Sequence, residues 1–165
     1  MKIRQRSAAL LFAMALVVWC LGFSVAPVFE TLAFGESPTD ALYASVCHQN
    51  PERSFDWFGV SWGVCHRCSA IYLSFMLTAL ILIGRNKTQR STLPTPRIIA
   101  ALLAPVVLDA LTDLLGLRDA DIVSRIVTGT LSGVVLALVV TPLLFDALEK
   151  LNVLNKPPSA RGSHV

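Results

Sequence analysis

Three cysteines and one histidine form two short motifs whose residue types and spacing favour binding of a soft metal ion. Cys47 and His48 are adjacent, and Cys65 and Cys68 are three positions apart, so both thiols of this pair lie on one side of a helix. Three thiolates and one imidazole form a tetrahedral set that zinc prefers and that copper(I) or iron also accept. We therefore predict a metal site formed by Cys47, His48, Cys65 and Cys68.

The same thiols also allow redox chemistry. Cys65 and Cys68 lie at the N-terminal end of a predicted helix, where the helix dipole and backbone amides stabilise a thiolate, and Arg67 adds positive charge. Such a pair exchanges disulfides or takes electrons from a quinone, and in an oxidising compartment it also forms a structural disulfide. Parity favours the metal, because three thiols cannot all pair with one another. The fourth cysteine, Cys20, lies alone inside an apolar run and is expected to be a small buried residue.

Long apolar segments must position these motifs. The chain has 165 residues and is 54% hydrophobic but only 15% charged, against about 25% in an ordinary soluble domain. Four apolar runs are long enough to span a bilayer, at residues 7–29, 62–84, 98–117 and 126–145. We predict an all-α fold, a polytopic membrane protein with four transmembrane helices. The first run also resembles a cleaved signal peptide, but its length and Pro27 favour a retained span.

Basic residues predict the orientation of these spans. Ten of the 14 Lys and Arg residues fall in the N-terminus, the 85–97 loop and the tail, and basic residues near span ends stay on the cytoplasmic side. We therefore expect a multi-pass protein of the inner (plasma) membrane with both termini in the cytoplasm and the 30–61 loop outside. One membrane domain would cover residues 1–150, and residues 151–165 would form a flexible cytoplasmic tail.

The outer loop carries signals of local structure. Ser37, Pro38 and Asp40 are typical of a helix start, and they predict a short outer-face helix that ends near His48. Aromatic residues follow, as is common where a chain re-enters the membrane interface. They are Phe55, Trp57, Phe58 and Trp62.

Two acidic residues lie inside the third predicted span. Asp109 and Asp113 are four positions apart and share one helix face. A carboxylate inside a bilayer is costly unless it is paired, protonated or turned towards protein, so such residues are site candidates. The nearest candidate partner of Asp109 is Arg125, at the outer start of the fourth span. A structural ion pair and a functional site are both open.

The fourth span has a face of small residues. Gly129 and Gly133 are four positions apart, and a face of this kind lets another helix approach closely. If the third span packs there, Arg125 comes near Asp109 and Asp113, and the unusual polar groups converge in one outer pocket.

The motifs Cys47-His48-Gln49-x-Pro51-x-Arg53-Ser54-Phe55 and Cys65-x-Arg67-Cys68-x-x-Ile71-Tyr72 resemble the signature of a known family. It comprises small prokaryotic membrane proteins catalogued only as a domain of unknown function. The similarity continues at Asp109, Arg125 and Thr128-Gly129, and so covers most of the chain. It departs at Asp113, where family members carry an amide, which makes Asp113 the least secure member of the pocket. The resemblance implies a multi-span fold and no established activity.

The function predicted from these residues is a metal centre, with zinc as the first candidate, beside a charged pocket. The pocket contains Arg53, Arg67, Asp109, Asp113 and Arg125. Its arginines suit carboxylate and phosphate groups, so the pocket would orient the loop or bind a small anion or lipid headgroup. The net charge of +3 gives no indication of nucleic-acid binding.

Two other functions stay open. One is a membrane thiol-disulfide oxidoreductase in which Cys65 and Cys68 cycle and Cys47 resolves the intermediate. The other is a small transporter or assembly subunit that uses Asp109 and Arg125. Whether the protein is an enzyme depends on an open coordination position, which a sequence does not reveal.

Overall fold

A computed structural model describes residues 3–32, 38–57, 59–88, 93–117 and 121–154. These residues form five α-helices, two β-strands and one 3-10 turn. In chain order they are α1 (Ile3–Thr31), α2 (Pro38–Ala44), the 3-10 turn (Pro51–Arg53), β1 (Ser54–Trp57), β2 (Val60–Cys65), α3 (His66–Gly84), α4 (Pro96–Leu114) and α5 (Ile122–Leu154).

Three of these helices are long and apolar enough to cross a membrane. The candidate spans are Arg6–Val25 in α1, His66–Gly84 in α3 and Ile122–Leu151 in α5. Helix α4 overlaps the third predicted span and has 19 residues, but Arg97, Asp109 and Asp113 give it three charged side chains within that length. By length and composition, the described residues therefore contain three candidate spans, and α4 is not one of them.

A small antiparallel sheet precedes α3, where the sequence predicted helix alone. Ser54 of β1 pairs with Cys65 of β2, and α3 begins at His66 rather than at Trp62. The prediction was wrong at this point because a short apolar run with valine and tryptophan fits a strand as well as the start of a helix. The fold is mostly helical and not purely α.

The short helix predicted after the first span is present. The structure describes α2 from Pro38 to Ala44, a few residues short of the predicted end at His48. Ser37, the predicted cap, lies outside the described residues. At the other end of the chain, α5 continues to Leu154, so the beginning of the predicted tail is helical. The remaining tail lies outside the described residues.

An aromatic core joins α2 to α1. The Tyr43 hydroxyl donates a hydrogen bond to the Trp19 carbonyl at 2.5 Å, and the two rings meet edge to face with centroids 4.9 Å apart. Tyr43 is 1% exposed, and Cys20 and Cys47 are buried in the same cluster. The buried Cys20 is the small core residue that its position predicts.

We expect removal of the Tyr43 ring to loosen this core around Cys47. Tyr43→Ala should lower the free energy of unfolding by about 3–5 kcal/mol, as for other large aromatic residues. Tyr43→Phe, which loses only the hydrogen bond, should cost about 1 kcal/mol. Thermal unfolding in detergent measures both, and maleimide labelling should show Cys47 more reactive in the alanine variant. Unchanged labelling there would contradict the described anchoring of α2.

Helices α3 and α5 form the closest helix pair and run parallel. A Cβ atom on Gly129 would lie 2.6 Å from the Arg67 carbonyl oxygen, and one on Gly133 would meet Ser74 further along both helices. The earlier glycine of α5 contacts the earlier residue of α3, and the later glycine contacts the later residue, so the two helices point in the same direction. The predicted close approach at the two glycines is present, with α3 as the partner rather than α4.

Candidate metal centre

Three thiols meet where α2, β2 and α3 come together. Cys47 follows α2, Cys65 is the last residue of β2, and Cys68 lies in the first turn of α3. Their sulfur atoms all lie within 4.8 Å of one another, and all three thiols are free. Sulfurs that share a tetrahedral zinc ion are about 3.8 Å apart, because each bond is about 2.3 Å. A small side-chain adjustment would therefore place all three on one ion.

Hydrogen bonds fasten the Cys47 loop to β2. The Cys65 amide donates to the Cys47 sulfur at 3.2 Å. Gln49 adopts a positive φ of 48°, and its side-chain amide donates to the Gly63 carbonyl at 2.9 Å. Cys47 is thus held next to the Cys65–Cys68 pair by protein contacts.

The pKa of the Cys65 thiol lies below its usual value. A hydrogen bond from the Cys68 thiol is the main cause, and together with a smaller contribution from Cys47 it lowers the pKa of Cys65 to about 5 against the opposing effect of burial. Cys65 is also the N-cap residue of α3, where the helix dipole favours negative charge. Thiols bind metals as thiolates, so a lowered pKa at Cys65 favours metal binding.

The two nearby histidines lie apart from the sulfur atoms. His48 is exposed and is not a member of the group of three thiols, although it lines the cavity beside them. His66 is 4% exposed, and its ring packs edge-on against Phe55 with centroids 4.4 Å apart. The inclusion of His48 in the ligand set stays a prediction.

The charged residues pair differently from the sequence-based prediction. Arg67 donates to Asp109 at 2.6 Å, and Arg125 lies 3.5 Å from Asp113. The sequence instead predicted Arg125 as the nearest partner of Asp109. The difference arises because Gly129 has no side chain, so the first turn of α3 packs closely against α5 at this point. This packing positions Arg67 between the thiols and α4.

Asp109 is bound from two helices. Besides the Arg67 guanidinium, the Ser124 hydroxyl donates to its carboxylate, and the Thr128 hydroxyl lies 3.3 Å away. The Asp109 side chain is only 9% exposed. Sequence reasoning missed Ser124, although Ser124 and Thr128 lie one turn apart beside Arg125, a spacing that places both hydroxyls on one helix face.

We expect Asp109→Ala to lower the free energy of unfolding by about 3 kcal/mol, because it leaves the Arg67 charge part-buried and unpaired. Asp146→Ala is the control. It should cost about 0.5 kcal/mol or less, since its partner Lys150 is 64% exposed and the pair lies at the protein surface. Thermal unfolding in detergent compares the two variants. Equal losses would contradict the described difference between the pairs.

A cavity of about 660 Å³ opens beside the thiols. The residues that line it are the three clustered cysteines (Cys47, Cys65 and Cys68), His48, Asp113 and the arginines Arg53, Arg67 and Arg125. The structure therefore brings the predicted thiols and most of the predicted pocket to one place. Asp109 pairs with Arg67 but does not itself line the cavity.

Apolar helices and a thiol cluster at the start of one of them define a membrane protein with a cysteine centre. A family model described as "Predicted membrane protein (DUF2085)" matches residues 47–139, more than half of the chain. The chain belongs to this family. The match begins at Cys47 and extends through both arginine–aspartate pairs.

Two relatives share this similarity. An uncharacterised protein of Methanocaldococcus jannaschii is 30% identical over 148 residues, which is 86% of this chain and 95% of the relative. An uncharacterised protein of Methanothermobacter thermautotrophicus is 34% identical over 96 residues, 56% of this chain and 81% of that protein. No solved structure matches the chain. The predicted membership of a small prokaryotic membrane-protein family of unknown function is thereby confirmed.

Proposed function

We propose that this membrane protein holds one soft metal ion on the thiols of Cys47, Cys65 and Cys68, with zinc as the first candidate. The observation that carries the proposal is the approach of the three sulfur atoms to within 4.8 Å of one another. They come from separate segments of the chain, and the lowered pKa of the Cys65 thiol favours metal binding. Thiolate sets of this kind suit zinc, and copper(I) also accepts them.

The parallel packing of α3 and α5 supports a topology of four spans. Because the two helices point the same way, the chain between Gly84 and Ile122 must return across the membrane. Helix α4 lies in that segment, and its 19 residues extend about 28 Å, close to the bilayer core of about 30 Å. Its two aspartates are paired with arginines, which reduces the cost of burying them.

The distribution of basic residues supports an orientation with the thiols on the outer face of the inner (plasma) membrane and both termini in the cytoplasm. Cysteines introduced at exposed positions on the two sides test this orientation. A membrane-impermeant maleimide should label Ser45→Cys in intact cells above the wild-type background, and Thr95→Cys only after permeabilisation. The reverse pattern would contradict the proposed orientation.

Elemental analysis tests the metal centre. Tag-free protein, purified in detergent without chelator, should carry about one zinc, copper or iron ion per chain. The ion should be absent from a Cys65→Ser, Cys68→Ser double variant that is purified in parallel. Wild-type protein without metal would overturn the proposal.

We expect His48→Ala to retain about one metal ion per chain, because the exposed imidazole lies outside the thiol group. The same elemental analysis measures it, with wild-type protein as the reference. Loss of the ion in this variant would instead place His48 in the ligand set that the sequence predicts.

Thiol-disulfide exchange is the second candidate function, and the low pKa of Cys65 favours it. In this reaction the Cys65 thiolate would attack a partner disulfide, forming a mixed disulfide while one partner sulfur leaves as a thiolate. The thiolate of Cys47 or Cys68 would then attack the Cys65 sulfur, forming a disulfide within the protein and releasing the partner in its reduced form. Cys68→Ser should trap mixed disulfides if Cys68 resolves them. A metal centre predicts no such adducts.

A further inference from the structure

The cavity beside the thiols is larger than a metal ion requires. Its volume is about 660 Å³, which is within the range of small-molecule sites. Cys47, Cys65 and Cys68 all line the cavity, so an ion bound to their thiols would be reached from the cavity side. Three ligands leave the fourth tetrahedral position of zinc for an outside molecule, as in catalytic zinc sites.

The charged side chains in the cavity wall are three arginines and one aspartate, Asp113. The Arg125 side chain is only 9% exposed and pairs with Asp113, and Arg67 pairs with Asp109. Arg53 is exposed at the rim and makes no ion pair with any residue that the structure describes. One positive charge in the wall therefore has no ion-pair partner in the described part of the chain.

We infer that this cavity binds a phosphate oxyanion, held by Arg53 and Arg125, with one phosphate oxygen at the open position of the metal ion. The inference rests on the proposed metal centre and names the class of ligand that the centre takes. The planar guanidinium group of arginine can donate two parallel hydrogen bonds to the oxygens of a phosphate or a carboxylate. Phosphate fits better, because its tetrahedral oxygens can contact two guanidinium groups and the metal at once, whereas a carboxylate has only two oxygens.

The phosphate could belong to a phospholipid headgroup or be free in solution. Cobalt(II)-substituted protein distinguishes these sources, because the visible spectrum of a cobalt–thiolate centre reports a change of its fourth ligand. The protein is kept in an uncharged detergent that contains no phosphate. Inorganic phosphate is titrated into one sample, and short-chain phosphatidylglycerol is titrated into the other.

We expect a saturable spectral change with at least one of the two probes, and the probe that produces it identifies the source. Arg53→Gln should raise the half-saturating concentration about tenfold, the effect of losing one charge-assisted hydrogen bond. Arg97→Gln is the control and should leave the half-saturating concentration unchanged, because Arg97 lies in the first turn of α4 and does not line the cavity. Arg53 is exposed, so its replacement should not disturb folding.

The outcomes separate this inference from the metal centre itself. If cobalt does not bind to the thiols, the proposed function fails. If the cobalt–thiolate spectrum forms but neither probe changes it, the metal centre stands and the oxyanion site is overturned. A spectral change that is equally strong in Arg53→Gln would also overturn the site, because the ligand would then bind elsewhere.

Discussion

Replacing Cys47 alone with serine should weaken zinc binding by about a thousandfold, although the Cys65–Cys68 pair stays intact. Structural zinc sites contribute about 10–16 kcal/mol, so each of three thiolates accounts for about 4 kcal/mol. The structure places Cys47 in the same sulfur group as the pair. Competition with a chromogenic zinc chelator measures the affinity of the wild type and of the variant.

Cys20→Ala is the matched control for this experiment. Cys20 is buried in the same core at 5% exposure, with its thiol 3.6 Å from the Tyr72 carbonyl, but it does not belong to the sulfur group. Its replacement should leave zinc affinity unchanged. If Cys47→Ser also kept its affinity, the site would be reduced to the Cys65–Cys68 pair, and the described convergence would have no role in binding.

Gly129→Ala should lower the free energy of unfolding by about 1–3 kcal/mol, the usual cost of overpacking a close contact. The added Cβ would lie 2.6 Å from the Arg67 carbonyl oxygen and 2.9 Å from the Ala70 Cβ. Because both neighbours belong to α3, the helices would have to separate. The same separation would move Arg67 relative to Asp109 and the thiols, so zinc affinity should fall as well.

Gly84→Ala provides the control for the change from glycine to alanine. Gly84 lies at the end of α3 with no atom within 4 Å of an added Cβ. Alanine there should be neutral or stabilising by about 0.5–1 kcal/mol, since it lowers the entropy cost of folding. Thermal unfolding in detergent measures both variants. A Gly129→Ala protein as stable as Gly84→Ala would contradict the close packing of α3 on α5.

The thiol group was predictable because its residues leave strong local signals. Cys65 and Cys68 have a spacing that puts both on one helix face, and Cys47 lies in the long segment between the first two predicted spans, which can fold back onto them. The structure confirms that these residues meet. The role of His48 was not decidable in this way, because adjacency to Cys47 along the chain does not determine where a side chain points after a helix ends.

The two-stranded sheet and the ion pairs could not be predicted from the spacing of hydrophobic residues along the sequence. The residues from Val60 to Cys65 fit a strand or a helix equally well, and only pairing with β1 decides between them. The partner of Asp109 depends on which helix packs against Gly129. The sequence shows that some helix must approach there, but only the tertiary arrangement shows that it is α3, which brings Arg67 to Asp109.

X-ray absorption at the zinc edge observes the ligand set itself. We predict that wild-type protein loaded with one equivalent of zinc shows three sulfur neighbours at about 2.3 Å and one lighter atom at about 2.0 Å. The Cys47→Ser variant, loaded in the same way, should lose one sulfur neighbour or the ion itself. A wild-type spectrum with two or fewer sulfur neighbours would contradict a metal centre built from Cys47, Cys65 and Cys68.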